Sequence, residues 1–292
     1  MNSLANSKLS PLDTLLGEAV NGIGIPPRPR VLEHLRVELQ RADPDLERLA
    51  SIIATDVSLS AGVMKMANSP YFGLGGRART AQHAVLLLGL DTATRAITGM
   101  VLLAKLPRAV SLERFWDGSA RIAQLSGWLA SRIPLNPPLN PGDAYSFGLF
   151  RDCGIAVMMR RFPNYAETLG IANHSAELSF TAIEDSRHCG NHAAIGYLMA
   201  RNWWLPDGSC LAIRHHHDVS AIVSGEIPLP PASAQLIAVA QLAERIVQTT
   251  AGLSQTREWD KLGTYCLRIL GIDDFAVDML SVAAASLMPQ GA

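Results

Sequence analysis

Residues 43–70, DPDLERLASIIATDVSLSAGVMKMANSP, read as two amphipathic helices in succession. Asp43-Pro44 supplies a capping carboxylate followed by proline at the first helical position, and Leu46, Leu49, Ala50 and Ile53 then recur at helical spacing. Asp56 restarts the chain; Leu59, Val63, Met64 and Ala67 form the next stripe, which Asn68-Ser69-Pro70 ends. Each helix has one apolar face to bury, so this part of the chain packs helix on helix.

The same reading extends in both directions. Segment 71–79, YFGLGGRAR, is a glycine-rich loop with no phosphate-cradle motif, and its Tyr71-Phe72 pair is read as an exposed contact. Two further helices follow over Thr80–Leu88 and Asp91–Leu106, hinged at Gly89 and stopped by Pro107. Beyond Ser111 a second block begins with a helix over Phe115–Arg132 and a stiff linker carrying Pro134, Pro137, Pro138 and Pro141. The apolar pattern then predicts one helix over Tyr145–Arg160, then others at Tyr165–His174, Ser179–Cys189 and His192–Trp203, and a short one from Pro206 to a run of histidines. Ala232–Thr250, Glu258–Leu270 and Asp274–Leu287 complete an all-α chain. Three parts are expected: a lead or helix over residues 1–21, a helical half over 22–110, and a second helical half over 111–292.

Composition removes several classes of function. Of 292 residues 48% are apolar, enough for a sizeable core. Basic residues number 25 against 26 acidic, with no Lys/Arg run, so nucleic acid is not expected as a partner. No apolar stretch reaches the roughly 18 residues a membrane span needs, and the expected location is the cytoplasm. Cys153, Cys189, Cys210 and Cys266 are too far apart for a CxxC pair and read as reduced thiols.

Several ordered segments carry a family resemblance: IPPRPRVLEHL at 25–35, the stretch through Gly73 that begins at Asp43, and TAQHAVLLLGLDTATRAI at 80–97. Later come FWDGSARIAQ at 115–124, AYSFGLFRDCGIAVM at 144–158, IEDSRHCGNHAAIGYLMARNWWLP at 183–206 and AIRHHH at 212–217. In this order they resemble the HDOD family over roughly residues 22–220. The resemblance implies a helical N-terminal subdomain packed on one related to the HD phosphohydrolases, whose catalytic relatives include the HD-GYP cyclic-di-GMP phosphodiesterases. It also implies a regulatory role in bacterial signal transduction rather than hydrolysis.

The ligand set expected of an active HD site is broken here. Gly118 falls near the first histidine position, and Arg151 takes the place of the histidine that should precede Asp152. Asp152, His192, His215 and His216 remain, with Glu244 at the place of the last aspartate. A phosphodiesterase of this kind needs divalent ions to polarise the phosphoryl oxygen and to acidify water. Arginine has no lone pair to offer an ion and gives Asp152 an internal salt bridge instead. No catalytic residue and no cofactor are therefore expected; any metal would sit on Asp152, His192, His215 and His216, with His217 solvated.

Plainer readings stand beside these. Arg151-Asp152 is also an ion pair that fixes two helices, His192 a residue that bonds a neighbouring carbonyl, Trp203-Trp204 core, and Cys153 and Cys189 inert thiols near the site. Three functions follow: a non-enzymatic module that binds a protein partner, a nucleotide sensor in which Arg151 takes a phosphate, and a residual metal-dependent phosphohydrolase.

Overall fold

The computed structural model describes residues 30–287 except 42, 55–56, 70–71, 73–77, 105–112, 204, 219–221, 223 and 253. The expected lead over 1–21, Tyr71, Pro107 and Trp204 lie outside the described residues. Among the described residues every regular element is a helix, so the fold is all-α. The first five are α1 (Arg30–Leu39), α2 (Leu46–Ala54), α3 (Val57–Ala67), α4 (Ala81–Leu88) and α5 (Leu90–Ala104). After them come α6 (Glu113–Arg132), α7 (Pro141–Phe150), α8 (Cys153–Arg161), α9 (Tyr165–His174) and α10 (Phe180–Arg187). The chain ends with α11 (His192–Asn202), α12 (Asp207–His215), α13 (Pro231–Ala251), α14 (Glu258–Leu270) and α15 (Asp274–Leu287).

The expected stripes bury as a helix-on-helix core requires: Leu49, Ala50, Ile53, Leu59, Val63 and Ala67 are all buried. The start of α2 differs from the reading by two residues. Asp45, not Asp43, caps it, its Oδ1 accepting from the backbone N–H of Glu47 at 2.8 Å and of Arg48 at 3.3 Å. Asn68 ties the two ends of the glycine-rich loop by donating to the carbonyl of Ala78 and accepting from its N–H. Phe72 is not an exposed contact. It is half-buried, packs edge-on against Tyr145 and fills the space a Cβ on Gly127 would need.

Pro141 belongs to α7 rather than to the linker. Asn140 caps that helix, accepting from the N–H groups of Gly142 and Asp143, and proline sits at the first helical position where no N–H is required. The predicted single helix over Tyr145–Arg160 is two helices that meet at Arg151-Asp152, where Asp152 leaves helical geometry at φ −98°, ψ 14°.

α13 forms the centre of the second half and is buried along most of its length, from Ser233 through Glu244 and at Ile246 and Val247. Each fully buried Leu, Ile or Val there contributes about 1.5–3 kcal/mol. α6 and α14 pack on α13, and α7 lies between α6 and α5, so the two halves share one hydrophobic core from Leu35 to Ala284. Among the described residues no single helix is long and apolar enough to cross a membrane.

Candidate functional site

The break between α7 and α8 turns Asp152 toward the start of α11 and the end of α12. Asn191 fixes the first of these partners by capping α11, its Oδ1 accepting from Ala194 N–H at 2.8 Å while its Nδ2 donates to Asp185. His192 is thereby held in the first turn, fully buried. Close approach of α8 to α11 depends on Gly154, where an added Cβ would lie 2.0 Å from the His192 carbonyl oxygen. α12 ends at His215, so the remaining histidines leave the helix and are not spread around it at helical angles.

Asp152, His192, His216 and His217 converge, each offering a ligand atom within 4.8 Å of the others. Asp152 Oδ1 stands 3.0 Å from His216 Nε2 and 3.6 Å from His192 Nε2, and the two ring nitrogens are 3.4 Å apart. The outer nitrogen of every ring is committed. His192 Nδ1 bonds Glu184 Oε2 at 2.7 Å, His216 Nδ1 the carbonyl of Ile213 at 2.8 Å, and His217 Nδ1 Glu258 Oε2 at 2.7 Å. A further shell holds these acceptors, with the Tyr165 hydroxyl donating to Glu184 and Lys261 paired with Glu258. Phe180 stacks on His217 with ring centroids 5.0 Å apart and meets His192 edge-on.

The histidine run thus differs from the sequence expectation. His215 turns away, its Nδ1 bonded to Asp218 at 2.7 Å, while His217, expected in solvent, is 4% exposed and part of the cluster. Glu244 is also outside the ring of donors. Arg151, buried, donates from Nε to Asp152 Oδ2 at 3.0 Å and pairs through Nη2 with Glu244 Oε2 at 2.9 Å; Ser254 donates to the other oxygen of Glu244 at 2.7 Å. Sequence reasoning missed His217, Glu184, Glu258 and Tyr165. The two carboxylates lie 8 and 41 residues from the rings they hold, and no motif links them.

Electrostatics follow from this packing. Burial would raise the Asp152 carboxyl, but Arg151 together with His192 and His216 holds it well below the usual range. Burial would lower His192, yet Glu184 and Asp152 outweigh it and carry the ring to about 10. His216 is pushed down to about 4, first by burial and then by neighbouring His217. Burial likewise raises the Cys153 thiol well above its ordinary value, which leaves it without thiolate character, while Cys189 is exposed and outside the cluster. Trp203 is core, as expected.

The donor set suits one ion and not two. Bonds of about 2.0–2.1 Å to a tetrahedral zinc place its ligand atoms about 3.3 Å apart, close to the separations seen here. A second ion would need Asp152 Oδ2 and Glu244, and Arg151 holds both. Beside the cluster lies a cavity of about 240 Å³, its wall formed by Arg151, Asp152, His217 and Glu244 facing Phe115, Gly118 and Ile155.

The order of these elements along the chain can be compared with known proteins. The sequence profile of the HDOD domain matches residues 25–219. This chain belongs to the HDOD family. An HDOD domain protein of unknown function from Geobacter sulfurreducens has the same fold, with a TM-score of 0.65 at 21% identity over 94% of this chain and 98% of that one. A structure from Shewanella amazonensis SB2B, provisionally named a phosphohydrolase, gives 0.67 at 20% identity over 93% of each chain. One from Marinobacter aquaeolei VT8, provisionally named a signal transduction protein, gives 0.66 at 20% identity over 98% of this HDOD chain and 67% of the other. An uncharacterized protein of Treponema pallidum (strain Nichols) is 24% identical over 200 residues, 67% of this chain. The HDOD chain covers 38% of that relative's length.

Proposed function

We propose that this HDOD protein is a non-hydrolytic signal-transduction module that acts by binding a protein partner. One observation carries the non-hydrolytic part: the buried Arg151 guanidinium bridges Asp152 and Glu244. It occupies both acidic groups that a second ion would require, and it brings a fixed positive charge to the place where an ion would otherwise gather the phosphoryl oxygens. The remaining four donors would fill a tetrahedral coordination sphere and leave no position for a water nucleophile.

The signalling part draws support from the shared fold with the Marinobacter protein and from a row of apolar side chains on α15. Phe275, Met279 and Val282 follow one another at helical spacing and are 72%, 57% and 69% exposed, a surface of the kind partners cover. The nucleotide-sensing alternative is less favoured. Arg151 already has its donors on two carboxylates, and the cavity of about 240 Å³ is below the roughly 300–1,000 Å³ typical of pockets for ligands of drug size.

The test is a turnover assay on tag-free protein supplied with Zn(II) or Mn(II), using bis(4-nitrophenyl) phosphate and cyclic di-GMP. Wild type should show no release of product above the protein-free background. Metal-dependent turnover that disappears in Asp152→Ala would overturn the reading.

A further inference from the structure

We infer that this protein binds one divalent ion of the zinc class in a closed centre made by Asp152, His192, His216 and His217, where the ion joins α8, α11 and the end of α12. The argument begins with the outer nitrogens of the rings. Glu184, the Ile213 carbonyl and Glu258 are acceptors, so each of the three Nδ1 atoms carries a hydrogen. A neutral imidazole has only one such hydrogen, and each Nε2 therefore presents a lone pair to the others and to Asp152 Oδ1.

Four electron-rich atoms within 4.8 Å of one another, in a buried site, repel unless a cation stands between them. One divalent ion relieves all of these contacts together. Three imidazole nitrogens and one carboxylate oxygen form a donor set of the zinc class rather than one for the oxygen-seeking magnesium or calcium. The carboxylates behind His192 and His217 are the outer partners that orient metal-bound histidines and make them more basic.

The arrangement also explains His217. Its ring stacks on Phe180 and its Nδ1 is anchored to Glu258, which in turn pairs with Lys261. Those contacts fix a ring that is adjacent in sequence to two others yet points to the same spot as one of them. His215, bonded to Asp218, takes no part. With all four positions filled by the protein, the ion is structural, and loading it would draw together segments 152–154, 192 and 216–217 along one wall of the cavity.

The inference shares its site with the non-hydrolytic reading and rests on Arg151 excluding a second ion, but it is tested separately. Full-length, tag-free protein is stripped with chelator and titrated with Zn(II) against a chromophoric competitor, then with Co(II), whose visible absorption reports tetrahedral coordination. Wild type should take up one equivalent, unfold at a higher temperature when loaded, and give the tetrahedral Co(II) spectrum. His217→Ala should lose the spectrum and the temperature shift, whereas His215→Ala should keep both. Glu258→Gln leaves all four donors in place and should weaken binding by about 10- to 100-fold, a change expected when an outer partner of a ligand is removed.

The inference is overturned if folded wild type takes up no stoichiometric ion, or if His217→Ala binds as tightly as wild type. Uptake accompanied by turnover would sink the non-hydrolytic reading and leave the ion site standing. Absence of both would do the reverse.

Discussion

Arg151 spends its whole hydrogen-bonding edge inside the protein, with Nε on Asp152 and Nη2 on Glu244, and it is only 2% exposed. A side chain so placed is a fixed internal cation. Its removal leaves two carboxylates in a poorly solvated space, each with its negative charge and one fewer partner. Breaking a buried pair in this way costs about 3–5 kcal/mol, most of it the penalty on the charge left behind. Arg151→Gln should therefore lower the unfolding free energy of metal-free protein by an amount in that range, measured by urea denaturation. Lysine should rescue little, because a single ammonium cannot span both carboxylates with the planar fork of arginine. Adding Glu244→Gln to Arg151→Gln should recover part of the loss. Strictly additive effects of the two changes would show that the groups are not coupled.

The helices that carry these side chains approach at a distance set by one glycine. A Cβ on Gly154 would lie 2.0 Å from the His192 carbonyl oxygen and 2.9 Å from its Cα, so Gly154→Ala forces α8 and α11 apart. Overpacking of this kind costs about 1–3 kcal/mol. The same change should weaken ion binding, since His192 moves with its backbone. Gly170→Ala is the matched control: nothing lies within 4 Å of its added Cβ on α9, and alanine there should be neutral or stabilising by up to about 1 kcal/mol. Equal stability losses in the two variants would remove the case for a special contact at Gly154. Helix existence was legible in the chain because apolar residues such as Leu49, Ile53, Leu59 and Val63 repeat at one spacing. The break at Arg151-Asp152 was not, since no proline or glycine marks it and the apolar pattern runs on through Cys153 and Ile155; packing of Asp152 against α11 and α12 imposes it. The resemblance pointed to Asp152, His192 and His216 in the sequence. His217 was hidden because neighbouring histidines are interchangeable until the end of α12 is known, and Glu184 and Glu258 because their partners are brought to them only by the fold.

α7 connects the two halves of the molecule to the site. Its first turn meets α5 so closely that a Cβ on Gly142 would lie 2.6 Å from the Thr92 carbonyl oxygen. Arg95 on α5 reaches both oxygens of Asp143, at 2.8 and 2.7 Å, and Asn140 donates to Asp91 at 2.7 Å. The other end of the same helix stops at Phe150, next to Arg151. Ten residues at about 1.5 Å per residue make a rod of about 15 Å between the seam and the cluster, so a displacement of the N-terminal half is passed to Arg151 by a rigid element. One shared core and this seam lead us to expect that the halves unfold as a single unit. All five tryptophans lie beyond residue 110, so their fluorescence reports the second half alone, whereas far-ultraviolet circular dichroism reports helices of both. The two signals should give coincident urea transitions in wild type. Gly142→Ala should shift both together to lower denaturant by about 1–3 kcal/mol, because the strain falls on backbone that cannot step aside. If the dichroism instead splits into two steps while the fluorescence keeps its midpoint, the N-terminal half unfolds independently and α7 cannot carry a signal from it to the site.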